Sequence, residues 1–307
     1  MAMNTLVYIS YGEGPHLDEL RYALLSASQL LGSDPDYRMV VYTDNPERFD
    51  GMRVHVERVT AETFAAWGGP LGFGHRRKIC AVKDALEKFG GRLLYCDADT
   101  FFTSHPRKAF ERIGPGRTLL HVAEYRLANF RAAPLAAFLE AHDLHDTSGV
   151  RWMTSPMTVM YNAGIIGLHA TDRLLLDEVI HATDVLFPAV KLQNVEQFAF
   201  SLVLRQRTRL RQSYDLIHHY WWAERRAPFN EQLRRVLHDS TIQSDQERLE
   251  RLSPYRPSLR FKDRPFKHFA RNRLTAQTRD VIWSIASQTG LLSSMKKLAQ
   301  RVRLHQV

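Results

Sequence analysis

Two aspartates one residue apart, Asp97 and Asp99, close the apolar run Leu93-Leu94-Tyr95-Cys96. In extended backbone such residues point to the same side, roughly 6–7 Å apart, where two ionised carboxylates repel by roughly 2.5 kcal/mol at an effective dielectric of 20. A divalent cation turns that repulsion into coordination by hard oxygen ligands. Asp-x-Asp also occurs in solvated turns. The apolar strand ahead of it favours a site, because open α/β sheets bind ligands beyond the carboxyl ends of their strands. His218 and His219 offer further donors on a strand-like stretch, 214–222, where adjacent residues face opposite sides and at most one can look into the site. Asn162-Ala163-Gly164 follows the apolar Val159-Met160-Tyr161. Glycine there lets a sugar or phosphate approach the backbone, and the Asn162 amide can both donate to and accept from hydroxyls. A β-bulge inside a strand fits the same residues equally well. Glu196-Gln197 opens a helical stretch. Arg77-Lys78 opens another, and Arg225-Arg226 follows the histidines; each basic pair suits phosphate or solvent alike.

Strands and helices must alternate to position these groups. Residues 6–10 read as a buried strand, followed by a loop with Gly12, Gly14 and Pro15 and a helix over 17–31 with Leu20, Leu24, Ala27 and Leu31 on one face. Strands follow at 39–43 and around Val54, Val56 and Val59. A Gly-rich loop then leads to a helix over 76–89, stopped by Gly90-Gly91, and to the strand at 93–96. This alternation predicts an α/β fold, with a mostly parallel central sheet and helices on both faces. Residues 158–168 read as a strand interrupted by glycine, and 174–187 and 195–204 as helices.

The chain has 307 residues, a net charge of +9 and only two cysteines, Cys80 and Cys96. So few cysteines form no disulfide framework and fit a reducing cytoplasm. No apolar run approaches the ~20 residues of a membrane span, and the amino terminus does not read as a secretion signal. Residues 251–307 hold 13 Lys/Arg against 2 Asp/Glu, so the charge sits in a tail and the remainder is near neutral. A near-neutral body argues against nucleic acid as a partner.

Order and spacing together resemble the metal-dependent glycosyltransferases of the GT-A fold, in particular the retaining family of bacterial lipooligosaccharide galactosyltransferases and glycogenin. The resemblance runs over 6–226 and rests on Leu94-Tyr95-Cys96-Asp97-Ala98-Asp99, Tyr161-Asn162-Ala163-Gly164, Glu196-Gln197 and His219-Tyr220. It implies a GT-A (nucleotide-diphospho-sugar transferase) domain over 1–225 and a basic, mostly helical extension over 226–307. It further implies that Asp97, Asp99 and His219 hold Mn2+ or Mg2+ against the diphosphate of a nucleotide-sugar donor, a UDP-sugar by family. Lys78 and Arg225 would meet the donor phosphates, and Asn162, Gly164, Glu196 and Gln197 would line the sugar pocket, Gln197 nearest the anomeric carbon. The acceptor would be a hydroxyl of a glycan or glycolipid, with the anomeric configuration retained. The family's Gly and Lys-Pro-Trp after the histidine are replaced by Trp221-Trp222-Ala223-Glu224-Arg225. The loop after the first strand lacks the family's acidic pair, leaving Tyr11 and Asp44 as candidates for contacts to the base.

Two other functions remain open on the sequence. A nucleotidyltransferase shares the sheet and acidic site, but normally has a basic Gly-rich loop after the first strand, and Gly12-Glu13-Gly14-Pro15 has no basic residue. A non-catalytic polyanion-binding protein would act through the tail. A helix expected over 281–304 places Leu291, Leu292, Met295, Leu298, Ala299 and Val302 on one face. That face suits either docking on the body or an anionic membrane surface, the latter making the protein peripheral on the inner face of the membrane.

Overall fold

Residues 3–257 are described by a computed structural model. The basic tail beyond them, with the helix expected over 281–304, lies outside the described residues. The chain begins with β1 (Asn4–Ser10), α1 (His16–Leu31), β2 (Tyr37–Thr43) and β3 (His55–Arg58). Then come α2 (Ala61–Trp67), α3 (Gly74–Phe89), β4 (Arg92–Cys96), β5 (Thr100–Phe102), α4 (Arg107–Phe110), β6 (Arg117–Leu120) and β7 (Ala123–Arg126). The middle holds α5 (Ala133–Ala141), β8 (Val159–Tyr161), β9 (Ile165–His169), α6 (Leu175–Val190) and α7 (Val195–Arg207). Last come β10 (Arg209–Gln212), β11 (Ile217–His219), α8 (Ala223–Leu237) and α9 (Asp245–Leu252).

Seven strands form the central sheet in the order β10-β6-β9-β4-β1-β2-β3. β1 pairs in parallel with β2 and β4, β2 with β3, and β10 with β6; β9 alone runs antiparallel, to both β4 and β6. The expected mostly parallel sheet is therefore present. Two small antiparallel ladders, β5 with β11 and β7 with β8, stand beside it.

Alternation along the strands divides the core. Val7, Val40, Leu93 and Tyr95 point to a face covered by α3, α6 and α7. Leu6, Tyr8, Met39, Val41, Leu94 and Cys96 point to the opposite face, under α1 and α4. These strands are buried on both sides, which is why they read as unbroken apolar runs rather than as alternating ones. In a third cluster Tyr22 and Leu25 of α1 and Phe101 of β5 meet Tyr220 and the apolar side of α8 and α9: Phe229, Leu233, Leu237, Leu249 and Leu252.

Two segments differ from their expected form. The strand expected over 158–168 is two, β8 and β9, with Asn162-Ala163-Gly164 as the joint between different ladders. The stretch expected as a strand over 214–222 forms a ladder only at Ile217–His219, because its partner β5 offers just three residues.

Candidate active site

The site lies where β4 ends. Asp97 N–H donates to Gly164 O at 2.7 Å, which fastens the aspartate loop to the joint before β9. β5 follows at once and pairs with β11 so that Thr100 stands opposite His219. Tyr220 N–H donates to Asp99 O at 3.0 Å. Three segments distant in sequence are thus held by backbone bonds before any side chain is considered.

Of the two histidines, His219 faces the aspartates. Its Nε2 lies 3.1 Å from Asp99 Oδ1 and 3.8 Å from Asp97 Oδ2. His218 packs against the Phe101 ring at 5.0 Å between centroids, and although it also lines the cavity it is not part of the ligand trio. Asp97, Asp99 and His219 offer ligand atoms within 4.8 Å of one another, and no other such trio of His, Cys, Asp or Glu occurs among the described residues. Two carboxylate oxygens and one imidazole nitrogen suit Mn2+ or Mg2+.

Neighbouring hydrogen bonds fix how these donors point. His219 Nδ1 lies 3.0 Å from Asn162 Oδ1, which also accepts from Gly164 N–H at 2.9 Å. Asn162 Nδ2 donates to Glu124 Oε1 at 3.1 Å, so the amide oxygen is the end turned to the imidazole. With Nδ1–H donating there, Nε2 is the nitrogen turned to the aspartates: protonated, it donates to Asp99 Oδ1, and deprotonated, it would offer its lone pair to a cation held between them, the outer-sphere arrangement found behind ligating histidines. Gly164 is required by space: a Cβ there would overlap the His219 ring and come within 2.9 Å of Asp97 Oδ2. Tyr95, buried on the strand ahead, donates its hydroxyl to Asp97 Oδ1 at 2.7 Å.

Charge is dense and paired. Burial raises the Asp99 carboxyl, but His219 and Arg226 outweigh it and hold it down at about 2. Burial would lower the His219 imidazole; Asp99, by charge and hydrogen bond, with Asp97 raises it above its ordinary 6.5. His121 stacks edge-on against His219 at 5.4 Å and is lowered well below that value by burial and by the neighbouring imidazole, so it stays neutral. Lys78 is 5% exposed on α3, with its ammonium 3.0 Å from Glu196 Oε1, 3.2 Å from Ala163 O and 3.8 Å from Asp97 Oδ1. Burial would lower it, but Asp97 and Glu196 keep it charged.

All of this lines a cavity of about 1050 Å³. Tyr11, Lys78, Asp97, Asp99, Asn162, Glu196, Gln197, His219 and Arg225 are on its wall. Gly164 stands behind the His219 ring. Asp44 is not brought there: it is exposed and accepts from Gly12 N–H at 3.0 Å. Gln197 Oε1 accepts from Ala163 N–H at 3.1 Å, and its Nε2 turns to Glu124 Oε2 at 3.4 Å. Glu196 Oε2 is buried and has no hydrogen-bond partner among the described residues. The amino-terminal turns of three helices, α3, α7 and α8, open on the cavity through Gly74, Glu196 and Ala223 with their neighbours.

Several wall residues were not singled out by sequence. Glu124 carries no motif and reaches the wall through the β7–β8 pairing; burial raises its carboxyl. His121 and Trp221 complete an aromatic run from His219 outward to Trp222, which is 40% exposed. Arg226, weighed on sequence as phosphate-binding or solvated, lies 3.1 Å from Asp99 Oδ2.

No protein-family model matches the chain, and no curated protein matches it. Among solved structures the chain is similar to the galactosyltransferase LgtC, determined in complex with donor and acceptor sugar analogues. The likeness has 12% identity, covers 84% of this chain and 98% of that one, and has a TM-score of 0.49.

Proposed function

We propose that the chain is a metal-dependent glycosyltransferase of the GT-A type, moving a sugar from a nucleoside diphosphate to a hydroxyl of a glycan or glycolipid. The observation that carries this reading is the meeting, in one cavity, of a two-carboxylate, one-imidazole cation site with three helix amino termini and with the amides of Asn162 and Gln197 and the carboxyls of Glu124 and Glu196. Helix amino termini present unpaired N–H groups and favour phosphate. The amides and carboxyls suit sugar hydroxyls, which both donate and accept.

A divalent cation at Asp97, Asp99 and His219 would offset the charge that develops on the departing diphosphate. Lys78 and Arg226 stand beside the two aspartates as further positive charge for that group, and Arg225 is on the same wall. Glu196 Oε2, buried and without a partner among the described residues, gains a hydrogen bond from a bound sugar hydroxyl. Gln197 is held by Ala163 N–H and Glu124, so its amide is oriented before substrate arrives. Tyr11 stacks under the Arg77 guanidinium at 4.6 Å and is the surface offered to the base. Retention of configuration follows the family resemblance.

Incubation with a set of nucleotide-sugars and Mn2+ tests the reading. One donor should be slowly hydrolysed, hydrolysis should stop with chelator, and Asp97→Asn with Asp99→Asn should abolish it. No metal-dependent loss of any donor refutes the proposal.

A further inference from the structure

Each aspartate of the cation site is touched by a positive side chain, and behind each of those stands a buried glutamate. Lys78 Nζ is 3.8 Å from Asp97 and 3.0 Å from Glu196, which is 2% exposed. Arg226 Nη1 is 3.1 Å from Asp99 Oδ2, while its Nε and Nη2 donate to Glu19 Oε1 and Oε2 at 2.6 and 2.5 Å. Glu19, on α1, is fully buried and also accepts from Asn230 Nδ2 at 2.7 Å. It does not line the cavity, and no step of the proposed reaction uses it.

The formal charges give these glutamates a purpose. Asp97, Asp99, Lys78 and Arg226 alone sum to zero, and a neutral cluster has little pull on a dication. With Glu19 and Glu196 the six groups carry two net negative charges. We infer that Glu19 and Glu196 are positioning residues that hold Arg226 and Lys78 at the site while cancelling their charge. The cluster then accepts a divalent cation with no anion present, and both positive groups stay in place for a diphosphate that arrives afterwards. Arg226 is 35% exposed on the cavity wall, within reach of such a ligand. The inference rests on the reading of Asp97, Asp99 and His219 as a metal site.

Titration calorimetry on the full chain tests it, with Mn2+ alone and, separately, inorganic pyrophosphate without metal. Glu19→Gln removes one negative charge from behind Arg226, so Mn2+ should bind at least about tenfold more weakly and pyrophosphate more tightly. Glu196→Gln should move both in the same directions and carries the test if Glu19→Gln does not fold. Removing the opposing cation as well, in Glu19→Gln with Arg226→Met, restores the charge sum; Mn2+ affinity should return to within about threefold of the parent and the pyrophosphate gain should vanish. Leu237→Ala, which loosens the α1–α8 core away from the site, should change neither affinity. A purely structural Glu19 would weaken both ligands together, with the double variant no better than the single; either result overturns the inference. Parent protein that binds Mn2+ while Glu19→Gln binds it equally well removes this inference alone. Parent protein that binds no Mn2+ removes the metal site and with it the proposed function.

Discussion

Replacing Gly164 by alanine separates the construction of the cation site from the packing of the fold. The backbone at Gly164 is not left-handed, so alanine meets no torsional penalty there. The difficulty is room, because the added methyl overlaps the His219 imidazole and crowds Asp97 Oδ2. Ordinary van der Waals contact requires the ring to retreat by about 1 Å, whereas metal–ligand bonds tolerate about 0.2 Å. One of three donors is displaced, and the Asn162 bond that orients it is lost. Mn2+ affinity should fall roughly 100-fold, the scale seen when ligand orientation is disturbed. Overpacking costs about 1–3 kcal/mol, which for a chain of this size lowers the melting temperature by roughly 2–12 °C. Gly167→Ala, three residues on within β9, supplies the comparison, since its Cβ would meet Ile113 Cδ1 and Leu119 Cβ at 2.8 Å, deep in the core. It should lose similar stability and keep its Mn2+ affinity. Calorimetric titration and thermal melting of both variants decide the matter. Unchanged Mn2+ binding in Gly164→Ala, or an equal loss in Gly167→Ala, would show that His219 is not held where the chemistry needs it.

Other consequences are open to measurement. Lys78→Met leaves Glu196 buried and uncompensated, so urea unfolding should show a loss of about 3–5 kcal/mol; adding Glu196→Leu should recover most of it, and a single-variant cost below about 1 kcal/mol would contradict the pairing. Glu124→Gln sets an NH2 group against the Asn162 or Gln197 amide and should cost about 1–3 kcal/mol; an unchanged unfolding midpoint would mean that these amides do not converge as described. His219 is raised above 6.5 and must be neutral to ligate, so Mn2+ affinity should climb as pH rises through the raised value and level off beyond it. Calorimetry in two buffers should find a proton released on the low side and none on the high side, and pH-independent binding would contradict the assignment. For the metal-free protein the same shift acts in reverse. Stability from the His219–Asp99 pair is complete below the unfolded value of 6.5 and is lost as pH rises through the folded one, which melting curves taken across that window report.

The parts of this molecule that are buried on both sides were plain in its sequence. Leu93 to Cys96 and the alternation of apolar strands with helices place Asp97 and Asp99 at a strand end without recourse to coordinates. The His-His pair was legible only as a choice, since neighbouring residues of a strand face opposite sides; the approach of His219 to Asp99 and Asp97 resolves it. Glu124 was invisible because its position depends on β7 pairing with β8 across some thirty residues of intervening chain, and nothing local announces that. Glu19 left a faint trace. It shares its helical face with Tyr22, Ala23 and Ser26, all buried, and a carboxylate at the head of a buried stripe requires a partner. That partner, Arg226, lies near the other end of the described chain, in a basic pair that reads on sequence as phosphate-binding or solvated alike. Asp44, a candidate only through the family resemblance, accepts from Gly12 N–H and stays outside the cavity wall.

The reversed direction of β9 has a further effect. Because it runs against β4, its first residue abuts the last of β4, Ile165 beside Cys96, and the turn before it falls next to Asp97. Had it run the other way, the same turn would sit at the far rim of the sheet. Cation coordination at the proposed site therefore requires distant stretches of polypeptide to have found their final neighbours. Manganese uptake would serve as a gauge of completed folding, and saturating ion would draw the population toward the finished state by mass action.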